Sequence, residues 1–195
     1  MRVVIVGGGI SAVYLANNIK KQNGSVEVTI VSDEKYPPYD RINLCRLIDD
    51  KDSVGSIALP LNPTVKLELN QKISKIDKKN RRIFSDNSMY GYDKLIIAVG
   101  SLPVTLFDIK NITNAAVFRS AQDCEIIKSG MKNREIVIVG GGPIGLELLE
   151  TINEIPNIKN ITLVLRAKHL YDRNLSIESI EKIEQYYTKS GKIRI

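Results

Sequence analysis

The chain has 195 residues, 43% hydrophobic and 26% charged, with a formal net charge of +6, which suits one good core or two small ones. A mean hydropathy of −0.09, with no apolar run near the roughly 20 residues of a membrane helix, gives no expectation of a membrane partner. Two cysteines make no disulfide framework, and Met1 and Arg2 lead straight into a strand without room for a cleaved signal, so a cytoplasmic protein is expected.

Residues 3–6 (VVIV) form a short apolar, mostly β-branched run, the pattern of an interior strand in a parallel sheet. Glycines occupy positions 7–9, and residues 10–21 continue with apolar side chains at helical spacing. Strand, glycine turn and helix are the setting that the dinucleotide fingerprint requires. Gly7 and Gly9 match its first two glycines, and Ala12 takes the third place, where a small residue lets helix and strand pack closely. A side chain at Gly9 would hold a pyrophosphate away from the backbone, whose free N–H groups at the helix start carry partial positive charge. After an Asn23-Gly24 turn, residues 26–31 (VEVTIV) read as a second strand, completing a βαβ unit. Ser32-Asp33-Glu34 ends it, at the place where this fold puts the acid that takes ribose hydroxyls. Sequence does not separate Asp33 from Glu34; Glu34 is the preferred of the two.

Residues 36–41 (YPPYDR) form a stiff extended segment, since each proline restrains itself and the residue before it. A short helical stretch over 42–48 carries Cys45 and Arg46. Residues 53–63 read as loop and 65–69 as a strand. Residues 73–77 and 82–84 read as a hairpin. Its tip lies within the one dense basic cluster, 75–82 (KIDKKNRR), which is expected to be a solvated turn, so no nucleic-acid partner is expected. A buried strand over 95–99 ends at Gly100. Residues 102–114 are a candidate domain crossing, followed by a helix over 121–131. The opening pattern then returns as a strand over 135–139, with Gly140, Gly142 and Gly145 completing the fingerprint. Pro143 sits in the first helical turn, where its missing N–H costs nothing. A helix to about residue 153, a strand over 161–165, a helix over 177–190 and the opening of another strand at 192–195 complete the chain. The expected fold is α/β with two Rossmann-like, three-layer units, 1–103 and 104–195, both incomplete at the C-terminus.

Four blocks in order, VVIVGGGISA, YPPYDRINL, YDKLIIAVGS and EIVIVGGGPIGLELLE followed by ITLVLRAKHLYDRNLS, resemble the FAD-dependent pyridine nucleotide–disulfide oxidoreductases. The YPPYDR block is most similar to the branch of rubredoxin and ferredoxin reductases and the N-terminal part of the nitrite reductase large subunit. The resemblance implies an enzyme that passes a hydride from NAD(P)H to FAD, and electrons on to a small redox protein or an iron–sulfur or haem acceptor. It implies that Gly7, Gly9 and Ala12 hold the FAD pyrophosphate, that Asp33 or Glu34 takes its ribose, and that Arg41 lies along the FAD, which Ala98 to Gly100 border. It further implies that Gly140, Gly142 and Gly145 hold NAD(P)H, and that Arg46 and Glu147 pair beside the flavin, with Arg46 where relatives have lysine.

Several departures bear on these expectations. The family's Ala-Thr-Gly block reads Ala98-Val99-Gly100 here, which removes a threonine hydroxyl. Where many relatives carry an acid at the end of the nucleotide domain's second strand, this chain has Leu165, followed by Arg166 and Lys168, a pattern that suits the 2′-phosphate of NADPH. The absence of Cys-x4-Cys excludes the two-cysteine active disulfide. Cys45 stands near the single redox cysteine of NADH oxidases and coenzyme A disulfide reductases, and that thiol chemistry is one alternative; the surrounding block favours a packed residue. Cys124 is expected to pack within its helix and His169 to lie at the surface, and no metal site is expected. In the family the chain returns through a Gly-Asp block to finish the FAD sheet. No Gly-Asp pair occurs here, so the chain is expected to be a fragment with unpaired sheet edges, one that retains part of each nucleotide site but does not turn over alone. A homodimer in which a neighbour supplies the missing strands is the alternative, and a non-catalytic nucleotide-binding fragment another.

Overall fold

A computed structural model describes residues 1–49, 51–105, 108–131, 134–170 and 175–195, so part of the YDRNLS stretch lies outside the described residues. The chain forms two compact units: Met1–Arg41 with Ser53–Val104, and Ile42–Asp52 with Thr105–Ile195. A single cut near residue 103 therefore leaves out the grouping of residues 42–52 with the second unit.

In the first unit, β1 (Arg2–Val6), β2 (Glu27–Val31), β3 (Lys66–Glu68) and β7 (Lys94–Ile97) form a parallel sheet in the order β3-β2-β1-β7. The register sets Ile5 beside Ile30 on one side and Ile96 on the other. Helix α1 (Ile10–Gln22) covers one face, where Val3, Ile5, Val28 and Ile30 pack with Ala12 and Ala16. On the opposite face Val4, Val6 and Val31 meet Ile83 and Tyr92. That cover includes a three-stranded antiparallel sheet of β4 (Ile73–Asp77), β5 (Arg82–Ser85) and β6 (Met89–Gly91). Burial on both faces explains why the β1 and β2 sequences are apolar without alternation. Each such valine or isoleucine contributes about 1.5–3 kcal/mol when fully buried.

The second unit repeats the helix-and-sheet layers. Strands β8 (Glu135–Val139), β9 (Asn160–Val164) and β10 (Ile193–Arg194) form a parallel sheet in the order β10-β9-β8. Helices α2 (Ala121–Met131), α3 (Pro143–Glu154) and α4 (Ile177–Thr188) complete the regular elements. Leu148, Leu149 and Ile152 of α3 are buried, as are Ile161 and Leu163 of β9. The other face of this sheet is partly exposed among the described residues. Val137, Val139 and Val164 are 63%, 53% and 44% exposed, whereas Val4, Val6 and Val31 at the same places in the first unit are 3%, 8% and 1% exposed. Among the described residues, nothing like the β4-β5-β6 sheet stands over it.

Several elements are shorter or differently wound than the sequence suggests. The 42–48 helix is a 3₁₀ stretch over Arg41–Leu47, and the 53–63 loop contains a 3₁₀ turn over Val54–Ile57. Strand β6 was not anticipated, because Met-Tyr-Gly is too short to show a period.

Candidate functional site

The first fingerprint turn is built by close backbone approach. Gly7 has φ +110°, and a Cβ there would lie 2.2 Å from the Ala98 carbonyl oxygen. Its N–H donates to the Val31 carbonyl (2.8 Å), and the Ala98 N–H donates to that of Val6 (2.7 Å). The ends of β1, β2 and β7 thus converge on Gly7, with Ala98 against it and Gly100, at φ +69°, just beyond. Gly9 differs from Gly7. It precedes α1 in extended conformation, and no atom lies within 4 Å of where its Cβ would be. No side chain caps α1 and no acid lies in its first turn, so the helix start is open to an anion. Ala12 is fully buried.

At the end of β2, Ser32 is buried and its Oγ accepts from the Glu34 N–H (3.3 Å). Both Glu34 carboxylate oxygens are engaged: Oε2 accepts from the Tyr39 hydroxyl and Oε1 from the Arg41 guanidinium. Arg41 also donates to the Tyr39 hydroxyl (3.2 Å) and lies 5.1 Å from the centre of its ring. Burial pulls the Arg41 pKa down, but the Glu34 hydrogen bond and the nearby Tyr39, Glu34 and Asp33 charges outweigh it, and the net shift is upward. The strap that carries Tyr39 is pinned by backbone bonds from Asp40 N–H to the Ile57 carbonyl (2.8 Å) and from Leu59 N–H to the Pro38 carbonyl (2.9 Å). Asp33 is exposed.

The second fingerprint repeats this geometry. Gly140 has φ +120° and donates to the Val164 carbonyl (2.9 Å). Gly142 precedes α3 in extended conformation, uncapped by any side chain, with no atom within 4 Å of a Cβ position. Pro143 occupies the first helical turn, as expected. A Cβ on Gly145 would fall 1.9 Å from the Gly140 carbonyl oxygen, so this position admits only glycine. Beyond β9, Arg166 and Lys168 are exposed. A cavity of about 910 Å³ adjoins this end of β9, lined by Leu165, Lys168 and His169 and by Glu181 and Glu184 of α4. The His169 ring is partly buried rather than at the surface, with Nδ1 3.6 Å from Glu184.

The pairing expected between Arg46 and Glu147 is not formed. Arg46 instead makes a bidentate contact with Asp52, Nε to Oδ2 at 2.9 Å and Nη2 to Oδ1 at 3.1 Å. Six residues along the same short segment, Asp52 is closer to hand, and the planar guanidinium matches its two oxygens. Cys45 is the residue that faces Glu147, with Sγ 4.0 Å from Oε2. Burial and the Glu147 charge push the Cys45 thiol up to about 11. Cys124 is buried, as expected, with Sγ 3.7 Å from the Leu44 carbonyl.

A thiol raised from 9.0 to about 11 holds about 100-fold less thiolate near neutral pH, and thiolate is the reactive form. Iodoacetamide at pH 8 should therefore label Cys45 about 100-fold more slowly than an exposed cysteine, with the rate rising as pH approaches 11. Peptide-resolved mass spectrometry over time measures it, and labelling at the rate of a free thiol would contradict the assigned environment.

Sequence reasoning missed the Tyr39–Glu34–Arg41 network and the Asp52 partner of Arg46. The proline pair marked a stiff strap, but not that it folds back on Glu34. No group of three or more metal-ligating side chains occurs among the described residues, and no described helix is long and apolar enough to cross a membrane.

Residues 1–195 match the family model described as pyridine nucleotide-disulphide oxidoreductase. The chain belongs to this family. Pyridine nucleotide–disulphide oxidoreductases are flavoenzymes that bind FAD and use NAD(P)H. The chain is 26% identical to monodehydroascorbate reductase 1 of Oryza sativa subsp. japonica, over 96% of this chain and 44% of that protein. It is 29% identical to the nitric oxide reductase FlRd-NAD(+) reductase of Escherichia coli O7:K1, over 97% of this chain and 51% of that one. The crystal structure of the covalent putidaredoxin reductase–putidaredoxin complex matches with a TM-score of 0.80 and 25% identity, over 99% of this chain and 49% of that one. The chain thus spans about half the length of these relatives.

Proposed function

We propose that the first unit holds FAD, that the second holds NAD(P)H, and that the protein to which this chain belongs is an NAD(P)H:acceptor oxidoreductase of the cytoplasm. The observation that carries this reading is the pair of uncapped helix starts, each fronted by a glycine, Gly9 or Gly142, with no atom within 4 Å of its Cβ position. Each presents backbone N–H groups to a pyrophosphate and leaves room for it. Gly7 and Ala98 shape the floor of the first cradle, with Ala12 behind it and Gly100 at its edge. Gly140 and Gly145 do the same in the second. When bound, FAD supplies the capacity to accept a hydride and release electrons one at a time. Leu165 in place of an acid, with Arg166 and Lys168 exposed nearby, favours NADPH over NADH. The proposed acceptor is a small redox protein or an iron–sulfur or haem centre, in line with the partner named in the putidaredoxin reductase complex. The raised Cys45 thiol weighs against a route through that cysteine.

The test is titration of the purified chain with FAD, followed by anaerobic addition of NADPH or NADH. Saturable flavin binding at one FAD per chain supports the cradle of the first unit, and its absence overturns it. Bleaching of flavin absorbance by NADPH supports both sites together. Flavin binding without bleaching leaves this chain as a nucleotide-binding piece.

A further inference from the structure

The segment that follows β9 is held at both ends. A Cβ on Gly141 would lie 2.3 Å from Leu165 Cδ2 and 3.0 Å from Leu170 Cδ2, so both leucines close over the middle glycine of the second turn. At the far end the Leu170 N–H donates to Glu184 Oε1 of α4 at 3.1 Å. Leu170 is buried. His169 Nδ1, buried and without a hydrogen bond among the described residues, lies 3.6 Å from the same carboxylate oxygen. Between these anchors Arg166 and Lys168 stand exposed. The leucine tips can swing, whereas the hydrogen bond fixes the direction of the backbone and so the way the intervening side chains leave it.

The geometry points to Glu184 as a positioning residue for nucleotide choice: by accepting from the Leu170 N–H it ties residues 165–170 to α4 and holds Arg166 and Lys168 ready for a 2′-phosphate. This rests on the reading that the second unit takes NADPH. The pyrophosphate is common to both nucleotides and is served by the Gly142 turn, so Glu184 bears only on the phosphate that NADPH has and NADH lacks. A loop already held loses less conformational freedom on binding, and that gain falls on one nucleotide alone. The charge of the carboxylate works in the opposite direction. Glu184 lines one cavity with Lys168 and weakens that cation's pull on a phosphate. Any benefit from Glu184 therefore comes through the hydrogen bond. Glu184 lies on a later helix, outside the fingerprint, so spacing from the glycines does not reveal it.

The experiment measures the dissociation constants of NADP+ and NAD+ on the full chain by titration calorimetry. The unsubstituted chain should prefer NADP+ by about tenfold or more, the value of one hydrogen bond to a charged group. Glu184→Asp keeps the charge but withdraws the carboxylate by about 1.5 Å, out of reach of the Leu170 N–H. Its preference should fall about tenfold, with NAD+ affinity unchanged within about twofold. Glu184→Gln removes the charge but keeps an accepting oxygen, and should retain the preference. Amide exchange at Leu170 should quicken in Glu184→Asp and not in Glu184→Gln. A preference retained in Glu184→Asp overturns the assignment, and so does equal weakening of both nucleotides, which marks a structural role. A preference lost in Glu184→Gln also overturns it, because charge would then be what matters, and that result stands even if Glu184→Asp does not fold. If the unsubstituted chain shows no preference for NADP+, or binds neither nucleotide, the reading of the second unit fails and the assignment with it, before any variant is made.

Discussion

Gly9→Val should leave the chain folded and abolish FAD binding. The position before α1 is extended, a backbone that any residue adopts, and the direction of its Cβ is empty for 4 Å. A Cβ there has no atom within 4 Å beyond its chain neighbours, so the melting temperature without nucleotide should move by no more than about 2 °C, as for a substitution away from any packed feature. The same side chain fills the space through which a pyrophosphate would reach the helix N–H groups. Losing two charge-assisted hydrogen bonds at about 1.5–3 kcal/mol each lowers affinity by about 100-fold or more. Gly7 provides the control. Alanine at φ +110°, with its methyl 2.2 Å from the Ala98 carbonyl oxygen, should reduce stability and binding together. Fluorescence titration beside thermal melting separates the two cases, and a Gly9→Val chain with unchanged FAD affinity would remove the pyrophosphate from this turn.

Gly145→Ala should be the most damaging single-methyl change in the second unit. Its Cβ would stand 1.9 Å from the Gly140 carbonyl oxygen, a backbone atom that cannot step aside as a side-chain tip would. Relief requires α3 to lift from β8, and overpacking of this kind costs about 3 kcal/mol. The matching position in the first unit is Ala12, fully buried with its methyl accommodated. The two helices therefore sit at different heights over their strands, and Ala12 and Gly145 are not interchangeable. Urea unfolding should show the second unit losing structure at lower denaturant, while FAD binding by the first unit is unchanged. A transition that stays in place would mean that α3 has room to shift.

Both strand–glycine–helix turns were legible in the sequence because their signals are local. A β-branched run, glycines at fixed offsets and a helical period all fall within one short window, and the close approaches at Gly7 and Gly145 are what those glycines imply. The side-chain partners were less legible. Arg46 was expected on Glu147, 101 positions away in sequence, yet Asp52 lies within the same short segment and takes both prongs of the guanidinium. The engagement of both Glu34 oxygens by Tyr39 and Arg41 likewise has no signal in the sequence. In both cases the decision is made by how an irregular strap folds back, and no periodicity encodes that. The grouping of residues 42–52 with the second unit also has no local signal in the sequence.

The valine stripe of Val137, Val139 and Val164 bears on how the two halves respond to heat. Unfolding raises heat capacity in proportion to the apolar surface newly wetted, and these side chains are about half wetted already. Their counterparts Val4, Val6 and Val31 go from nearly dry to exposed when the first unit melts. The second unit therefore has the smaller heat-capacity step, the flatter stability curve and the shallower urea dependence for its size. In calorimetry the two transitions separate by their curvature as well as by their midpoints. Any polypeptide that comes to lie on the valine stripe restores the missing heat capacity to the second transition and leaves the first unchanged.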